Sequence, residues 1–284
     1  MAKIGIIGGS GLYEMDGLTD VREASVSTPF GDPSDAIVTG KLGEIELAFL
    51  PRHGRGHRIS PSELPVRANI YALKSLGVQW VISVSAVGSL RADIKPLHLV
   101  IPDQLIDRTK RRVDTFFEGG IVAHCAFAEP FCPQLSDILC QAAQKTRATV
   151  HKGGTYVAIE GPQFSTKAES ALYRSWGASI VGMTALPEAR LAREAELCYA
   201  TLASVTDYDC WHESEESVSI QMIVSNLLRN VAAAKKIVRH AAQAIQGERQ
   251  CACASALENA IITARERIPP EVKERLQLLI GKYL

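Results

Sequence analysis

The sequence predicts an α/β protein, because short apolar runs alternate along the chain with longer segments of amphipathic spacing. The apolar runs are rich in valine and isoleucine, which is typical of strands buried in a sheet. No internal repeat, low-complexity tract or long linker divides the chain of 284 residues. We therefore expect one domain that spans residues 1–284.

Strands are predicted at the apolar runs and helices at the segments between them. The predicted strands are Lys3 to Ile7, Ile45 to Leu50, Val78 to Val84, Leu99 to Ile101, Thr155 to Ile159, Ser179 to Met183 and Cys198 to Val205. The predicted helices are Glu63 to Leu76, Pro133 to Thr146, Lys167 to Trp176, Pro187 to Glu196 and Glu216 to Ile245. The longest helix has an apolar face that we expect to pack on the core, formed by Val218, Ile220, Ile223, Val224, Leu227, Leu228, Val231 and Ile237.

The overall composition is that of an ordinary globular protein, with 46% hydrophobic and 22% charged residues. The 31 basic residues balance 31 acidic ones, so we expect neither nucleic acid nor an anionic membrane as a partner. The first apolar run, Ile4 to Ile7, is too short for a signal peptide or a membrane span. We therefore expect a cytoplasmic protein.

Seven cysteines are scattered through the chain, and we expect most of them to be buried thiols. Cys251 and Cys253 differ, because they flank a single alanine in a polar stretch. Such a pair can form a strained, reducible disulfide or bind a metal. No CxxC motif or paired histidine accompanies them, so the sequence leaves their role open.

A glycine-rich turn, Gly8-Gly9-Ser10-Gly11, follows the first predicted strand. Bare backbone amides and the Ser10 hydroxyl can surround an anion there, with phosphate as the natural candidate. The spacing is not that of a dinucleotide-binding fingerprint, because Glu14 stands where the last glycine is needed. A plain tight turn is the alternative.

A second candidate anion site is the loop from Arg52 to His57, which follows another predicted strand. Arg52 can give phosphate two parallel hydrogen bonds, and His53 can donate another. The alternative is a solvated basic loop. Small residues at Ser85-Ala86 and at Gly182-Met183-Thr184 follow two further strands, so we expect these groups to converge on one ligand site.

Two carboxylates, Asp207 and Asp209, follow the last predicted strand. Residues two apart point the same way if a strand continues, so both can face a metal or a purine base. No cluster with metal-ligand spacing accompanies them, so we expect no metal there. Exposed turn acids are the alternative.

Several of these motifs occur together in one family, and the chain resembles 5′-methylthioadenosine phosphorylases from Lys3 to about Ile245. The last forty residues or so, by contrast, match that family poorly. The resemblance implies a single purine nucleoside phosphorylase-like α/β domain, with helices around a mixed, partly barrel-like sheet. It also implies a homotrimer or a dimer of trimers, phosphate as co-substrate, and no metal or organic cofactor. The motifs are Gly8-Gly9-Ser10-Gly11-Leu12, Thr28-Pro29-Phe30-Gly31, Arg52-His53-Gly54, Glu160-Gly161-Pro162-Gln163-Phe164, Met183-Thr184 with Pro187-Glu188, and Thr206-Asp207-Tyr208-Asp209-Cys210-Trp211.

The resemblance also implies a role for individual residues, with Asp207 as the catalytic group. The phosphate-binding positions it implies are Ser10, Arg52, His53, Ser85, Ala86 and Thr184. The purine-binding positions are Phe164, Val181, Met183, Asp207 and Asp209. The implied pocket for the methylthio group comprises Ser165, Ile220, Ile223 and Val224, together with His124 from an adjacent subunit.

The two aspartates favour adenine over 6-oxopurines on chemical grounds. Adenine presents an N7 acceptor and an amino donor, which suit one protonated and one ionised carboxylate. A 6-oxopurine nucleoside or methylthioinosine phosphorylase is the nearest alternative, and Gly182, where many relatives carry asparagine, bears on that choice. A non-catalytic nucleotide-binding protein on the same scaffold is the alternative from another class.

Overall fold

The computed structural model describes residues 3–212, 220–245 and 249–284, without the side chains at positions 10, 220–224 and 227. Strands and helices alternate along much of the chain, which confirms the predicted α/β class. The strands are β1 (Lys3–Gly8), β2 (Leu18–Ala24), β3 (Ile37–Leu42), β4 (Ile45–Pro51), β5 (Val78–Ser89), β6 (Leu99–Ile101), β7 (Gln104–Arg108), β8 (Val150–Lys152), β9 (Thr155–Ile159), β10 (Ile180–Gly182) and β11 (Cys198–Asp207). The helices are α1 (Val66–Ser75), α2 (Pro133–Gln144), α3 (Lys167–Ser175), α4 (Ala185–Glu194), α5 (Ile220–Ala244), α6 (Pro270–Arg275) and α7 (Gln277–Ile280).

The sequence does not predict β2, β3, β7 and β8, because these strands lack a continuous apolar run. Most side chains of β2 are exposed, and β8 has only three residues. Gly40 interrupts the apolar pattern of β3, yet a Cβ atom there would lie 2.9 Å from the Leu18 side chain of β2. Position 40 is therefore a glycine because β2 and β3 pack closely there, and not because the chain turns.

The strands form one mixed sheet in the order β2-β3-β4-β1-β5-β10-β9-β7. The sheet branches at β5, because β11 pairs with β5 and with β6, and β6 also pairs with β8. β4, β1, β5 and β11 are parallel to their neighbours in that order. Their carboxyl ends therefore meet at one edge of the sheet.

Two apolar clusters cover the two faces of the sheet. Side chains that alternate along a strand enter opposite faces, so Ile7 belongs to one cluster and Ile6 to the other. The Ile7 cluster includes residues of α1 and α4, and the Ile6 cluster includes residues of α2 and α5. Helices thus pack on both faces and leave the edge of the sheet open for a site.

β5 is longer than predicted, since it continues past Val84 to Ser89. Its apolar pattern ends at Val84, but β11 pairs with it as far as Gly88, and β10 pairs with Gly88 and Ser89. Backbone hydrogen bonds to these two neighbours extend the strand where side-chain polarity predicts its end. Ser85 and Ala86 therefore lie within β5 rather than after it.

The long helix α5 packs on the core through its second half. Ile237 is fully buried, as predicted, whereas Leu228 is 68% exposed, so the prediction that Leu228 faces the core is wrong. The part of α5 around Leu228 is held to β11 by hydrogen bonds. The side chains of Asn226 and Asn230 donate to the backbone carbonyls of Thr206 and Val205. Residues 216–219 of the predicted helix, including Val218, lie outside the described residues. Within the described ranges, no helix combines the length and apolar character needed to cross a membrane.

Truncating Ile237 to alanine should destabilise the protein by about 2–5 kcal/mol, because it leaves a cavity in the core. The exposed Leu228 on the same helix provides the control, and Leu228→Ala should change the free energy of unfolding by less than about 0.5 kcal/mol. Denaturant unfolding of both variants measures the difference. Equal losses of unfolding free energy in the two variants would show that α5 does not pack as described.

Candidate active site

The candidate active site lies at the edge where the parallel strands end. β1 and β4 end side by side, with Gly8 paired to Pro51, and the Arg52 amide donates to the Gly8 carbonyl at 2.9 Å. β11 then follows β5, so that Asp207 pairs with Gly88. The structure therefore brings together the glycine-rich turn, the start of the basic loop, the Ser85 segment and the acidic pair.

Arg52 is buried and is held by an ion pair with Glu188 of α4. Its Nε donates to Glu188 Oε1 at 2.5 Å, and its Nη2 donates to Oε2 at 3.2 Å. Nη1 donates to the Val84 carbonyl at 2.8 Å, and Nη2 also reaches the Ser83 hydroxyl at 2.7 Å. The carboxylate raises the pKa of the Arg52 guanidinium despite its burial. Its position is thus set by β5 and α4 together.

Glu188 is 2% exposed and was not assigned a role from the sequence, although it belongs to the Pro187-Glu188 motif. Besides Arg52, it accepts hydrogen bonds from the Ser83 hydroxyl at 3.0 Å and the Tyr199 hydroxyl at 2.8 Å. A buried carboxylate needs such partners to offset the loss of its hydration. Glu188 is therefore a positioning residue that orients Arg52.

Two hydroxyl groups beside this network make no hydrogen bond of normal geometry among the described residues, although both lie close enough to the Tyr156 hydroxyl to interact with it. The side-chain oxygens of Ser85 and Thr184 are both buried. Ser85 directly follows the Val84 carbonyl that binds Arg52, and Thr184 lies four residues before Glu188 along the chain. Ala86, by contrast, is exposed, although most of β5 is buried. Buried hydroxyls without a well-formed hydrogen bond are costly, and an anion would satisfy them.

His53 lies next to Arg52, and its Nδ1 is 2.8 Å from the Ile59 carbonyl. A carbonyl only accepts, so Nδ1 carries the proton and a neutral ring has an unprotonated Nε2. Burial lowers the His53 pKa to about 4, and the charge of Arg52 contributes. At neutral pH, His53 is therefore a hydrogen-bond acceptor at Nε2, in contrast to the donor predicted from the sequence.

Asp207 and Asp209 are both buried, but a turn rather than strand alternation brings them together. β11 ends at Asp207, and Asp209 adopts a left-handed conformation with φ of 54°. Asparagine and aspartate tolerate this region better than other side-chain-bearing residues. The Asp209 amide donates to Asp207 Oδ1 at 2.8 Å, and the Thr206 hydroxyl donates to Oδ2 at 2.7 Å.

The electrostatic surroundings of Asp209 favour a shared proton in this pair. Burial raises the pKa of Asp209, and the neighbouring charge of Asp207 raises it further, while the hydroxyls of Ser170 and Ser165 oppose these effects. Gly88 lies against both acids, because a Cβ atom there would be 3.1 Å from Asp207 Oδ1 and 3.2 Å from Asp209 Cβ. Because the two carboxylates are close together, ionising both of them at once is unfavourable.

Gly182 makes room for the buried Tyr156. A Cβ atom at Gly182 would lie 2.1 Å from the Tyr156 hydroxyl, so an asparagine here has no space while Tyr156 keeps this position. The Thr184 amide donates to the same hydroxyl at 3.4 Å. Tyr156 therefore helps to position Thr184, a role that the sequence did not suggest.

Arg112 is another residue that sequence reasoning missed. Its guanidinium donates to the backbone carbonyls of Met183, Leu186 and Glu160, with the last contact at 2.6 Å. It thereby holds the Met183-Thr184 turn against the loop that carries Phe164. The sequence does not distinguish Arg112 from the basic residues beside it, because the partners of Arg112 are backbone atoms that are distant along the chain.

The remaining predicted residues differ in how they are placed. Val181 is buried in the middle of β10, and Met183 is partly buried beside Gly161. Phe164 is 63% exposed, and His124 lies on an exposed loop between β7 and α2. The Ser165 hydroxyl is buried and lies near Asp209, without a hydrogen bond of normal geometry among the described residues. The side chains of Ser10, Ile220, Ile223 and Val224 lie outside the described part of the chain.

Comparison with known proteins agrees with this architecture. The family pattern described as "Phosphorylase superfamily" matches residues 3–243. An S-methyl-5′-thioadenosine phosphorylase of Geobacter sulfurreducens is 60% identical over 282 residues, which are 99% of this chain and 99% of that protein. A solved methylthioadenosine phosphorylase from an Antarctic soil metagenomic library has a TM-score of 0.94 and 52% identity, with 98% of each chain covered. A mutant adenosine/methylthioadenosine phosphorylase of Schistosoma mansoni, solved with adenine, has a TM-score of 0.84 and 36% identity, covering 99% of this chain and 98% of that one.

The fold and the family match over residues 3–243 define the class, and the chain belongs to the phosphorylase superfamily. Within that superfamily, its full-length similarity makes it a member of the S-methyl-5′-thioadenosine phosphorylases. The resemblance and the purine nucleoside phosphorylase-like fold predicted from the sequence are thereby confirmed.

The His53 ring should stay neutral until the pH falls to about 4 in the absence of phosphate. Because folding lowers this pKa from 6.5, the stability that the neutral ring contributes is complete above pH 6.5 and is lost as the pH falls towards 4. Bound phosphate should raise the pKa, because an anion stabilises the imidazolium. Histidine-ring NMR titration, with His53→Asn for assignment, measures both effects. A pKa near 6.5 that phosphate leaves unchanged would contradict this description.

The variant Glu188→Gln should weaken phosphate binding roughly 10-fold or more, because Arg52 loses the charged partner that orients it. Glu194→Gln serves as the control, since Glu194 is a buried carboxylate of the same helix that binds Thr115 and the Phe116 amide instead. Steady-state kinetics at varied phosphate concentrations give the phosphate KM of both variants. A similar increase of the phosphate KM in both variants would indicate a general loss of structure.

Proposed function

We propose that this protein cleaves S-methyl-5′-thioadenosine with inorganic phosphate to give adenine and 5-methylthioribose 1-phosphate. The observation that carries this proposal is the pair of buried hydroxyls without a well-formed hydrogen bond, Ser85 and Thr184, next to the Arg52 network and the acidic turn. Full-length similarity to S-methyl-5′-thioadenosine phosphorylases supports the same reaction. The protein is accordingly a pentosyltransferase.

Phosphate is proposed to bind between Arg52, Ser85, Ala86 and Thr184, with Ser10 of the glycine-rich turn. The two hydroxyls and the backbone at Ala86 donate to its oxygens, while the fixed guanidinium supplies positive charge. His53 is proposed to act as a neutral hydrogen-bond acceptor and not as a cation. Its unprotonated Nε2 accepts a hydrogen bond from the phosphate hydroxyl, which favours the monoprotonated dianion.

The purine is proposed to lie against Phe164, Val181 and Met183, with its edge on Asp207 and Asp209. A phosphate oxygen attacks C1′ while the bond from C1′ to N9 breaks, and its electron pair moves into the adenine ring. When adenine binds, its amino group donates to Asp209 and stabilises the ionised form of that carboxylate, so the shared proton moves to Asp207. Asp207 then donates this proton to N7 of the departing base. The phosphate ester that forms loses the proton of the phosphate dianion, and an equivalent proton restores the acid form of the aspartate pair, so the overall reaction neither gains nor loses a proton.

The methylthio group is proposed to enter an apolar pocket formed by Ser165, Ile220, Ile223 and Val224. The hydrogen bond from the Asn226 side chain to the Thr206 carbonyl holds the first turns of α5 beside Asp207, which supports this placement. His124 is exposed, as expected of a residue that completes the site of a neighbouring subunit. We therefore propose a homotrimer or a dimer of trimers that acts in the cytoplasm, with no metal or organic cofactor in the reaction.

Incubating the purified protein with methylthioadenosine, adenosine or inosine, each with and without phosphate, tests the proposed function. Adenine should be released fastest from methylthioadenosine, and only when phosphate is present, as measured by liquid chromatography. Hypoxanthine as the main product would favour a 6-oxopurine enzyme. Release without phosphate would indicate hydrolysis, and no release from any substrate would contradict enzymatic activity.

The variant Asp207→Asn should lower adenine release from methylthioadenosine by about 100-fold or more, because an amide cannot transfer a proton to N7. Activity on inosine should fall less, because an amide N–H on the N7 side can also reach the adjacent 6-oxo acceptor, where adenine presents an amino donor. Asp93→Asn is a suitable control, because Asp93 pairs with Arg91 at the exposed surface. Unchanged methylthioadenosine turnover in Asp207→Asn would remove Asp207 from the mechanism.

A further inference from the structure

A cluster of cysteine side chains lies at the other end of the sheet from the phosphate site. Cys198 begins β11 and Asp207 ends it, so the two ends are about 30 Å apart at roughly 3.3 Å per residue. The sulfur atoms of Cys132, Cys198, Cys251 and Cys253 all lie within 4.8 Å of one another. The proposed reaction does not use these residues.

The spacing of the sulfur atoms fits a tetrahedral metal site. Zinc bound by four thiolates has bonds of about 2.3 Å, which places the sulfurs about 3.8 Å apart. Here the sulfur of Cys251 is 3.6 Å from that of Cys132 and 3.3 Å from that of Cys198. Disulfide sulfurs are bonded at about 2.05 Å, whereas all the cysteines of this structure are free thiols.

The surroundings of the cluster are apolar. Cys132, Cys198 and Cys253 are buried, and Cys251 is partly buried against the same apolar cluster that contains Leu135. Neutral thiols are weak hydrogen-bonding groups, so four of them facing each other gain little from polar contacts. A divalent cation converts the same arrangement into strong metal–sulfur bonds that compensate the buried negative charge.

The backbone provides a further contact that stabilises an ionised sulfur. Cys132 precedes α2 as its N-terminal cap, and its sulfur accepts a hydrogen bond from the Leu135 amide at 3.5 Å. The positive end of a helix of twelve residues favours thiolate over thiol. The Cys132 amide donates to the Tyr199 carbonyl at 2.7 Å, which fixes this cap beside β11.

We propose that Cys132, Cys198, Cys251 and Cys253 bind one zinc ion as a structural tetrathiolate site. Binding converts four thiols into thiolates and releases four protons, with no change in oxidation state. Protein sulfur fills all four positions, so the ion has no open position for water or substrate. The site joins the Cys251–Cys253 segment of the C-terminal region to β11 and α2, and it leaves the catalytic chemistry independent of metal.

The experiment uses the full chain, purified without an affinity tag under reducing conditions, with its metal content measured by plasma mass spectrometry. We expect about one zinc per chain, and a loss of roughly 10-fold or more in Cys253→Ser. Cys140→Ser is the matched control, because Cys140 lies on α2 outside the cluster and should leave the zinc content unchanged. The melting temperature should fall when a chelator removes the zinc, while adenine release at low temperature persists.

A second measurement on the unmodified protein keeps the test valid if Cys253→Ser fails to fold. Replacing zinc with Co²⁺ should give the visible bands and thiolate-to-metal charge-transfer absorption of tetrahedral thiolate coordination. The proposal is overturned if the reduced protein takes up neither ion. It is equally overturned if the intact mass of the purified chain is about 4 Da below that of the fully reduced chain, because this indicates two disulfides among the same sulfurs.

Discussion

The buried ion pair between Arg52 and Glu188 is the interaction on which the rest of the site depends. Both side chains are almost completely removed from water, so each must keep its partners. Those partners come from β5 and β11 as well as α4, through Val84, Ser83 and Tyr199. The pair therefore fixes the end of β4 against three other elements. Removing either charge would leave the other buried and unpaired.

The branching of the sheet at β5 explains why the proposed phosphate and purine sites lie side by side. One edge of β5 carries β1 and the glycine-rich turn, and β11 on its other side carries the acidic turn. Ser85 lies between them within the same strand. β10 approaches β5 in the opposite direction, which brings Thr184 towards this region from the purine side. The strand β5 thus sets the distance between the proposed phosphate and purine positions.

The sequence predicted much of this arrangement, because most site residues follow apolar strands whose carboxyl ends meet. It did not predict Glu188, Tyr156 or Arg112 as site residues, since their partners are distant along the chain and often backbone atoms. The neutral state of His53 depends on burial and on the Ile59 carbonyl, which a motif does not reveal. The cysteine cluster joins Cys132 and Cys198 to Cys251 and Cys253 over separations unlike those of zinc-binding motifs, so only the folded chain reveals it.

The most direct test of the account is a crystal structure of the protein with phosphate and adenine bound. We expect phosphate oxygens within hydrogen-bonding distance of the Ser85 and Thr184 hydroxyls, and the adenine edge on Asp207 and Asp209. Arg52 should keep its bonds to Glu188, because that pair exists before the ligand arrives. Phosphate bound elsewhere, with both hydroxyls still lacking a well-formed hydrogen bond, would contradict the central claim that this buried network forms the phosphate site.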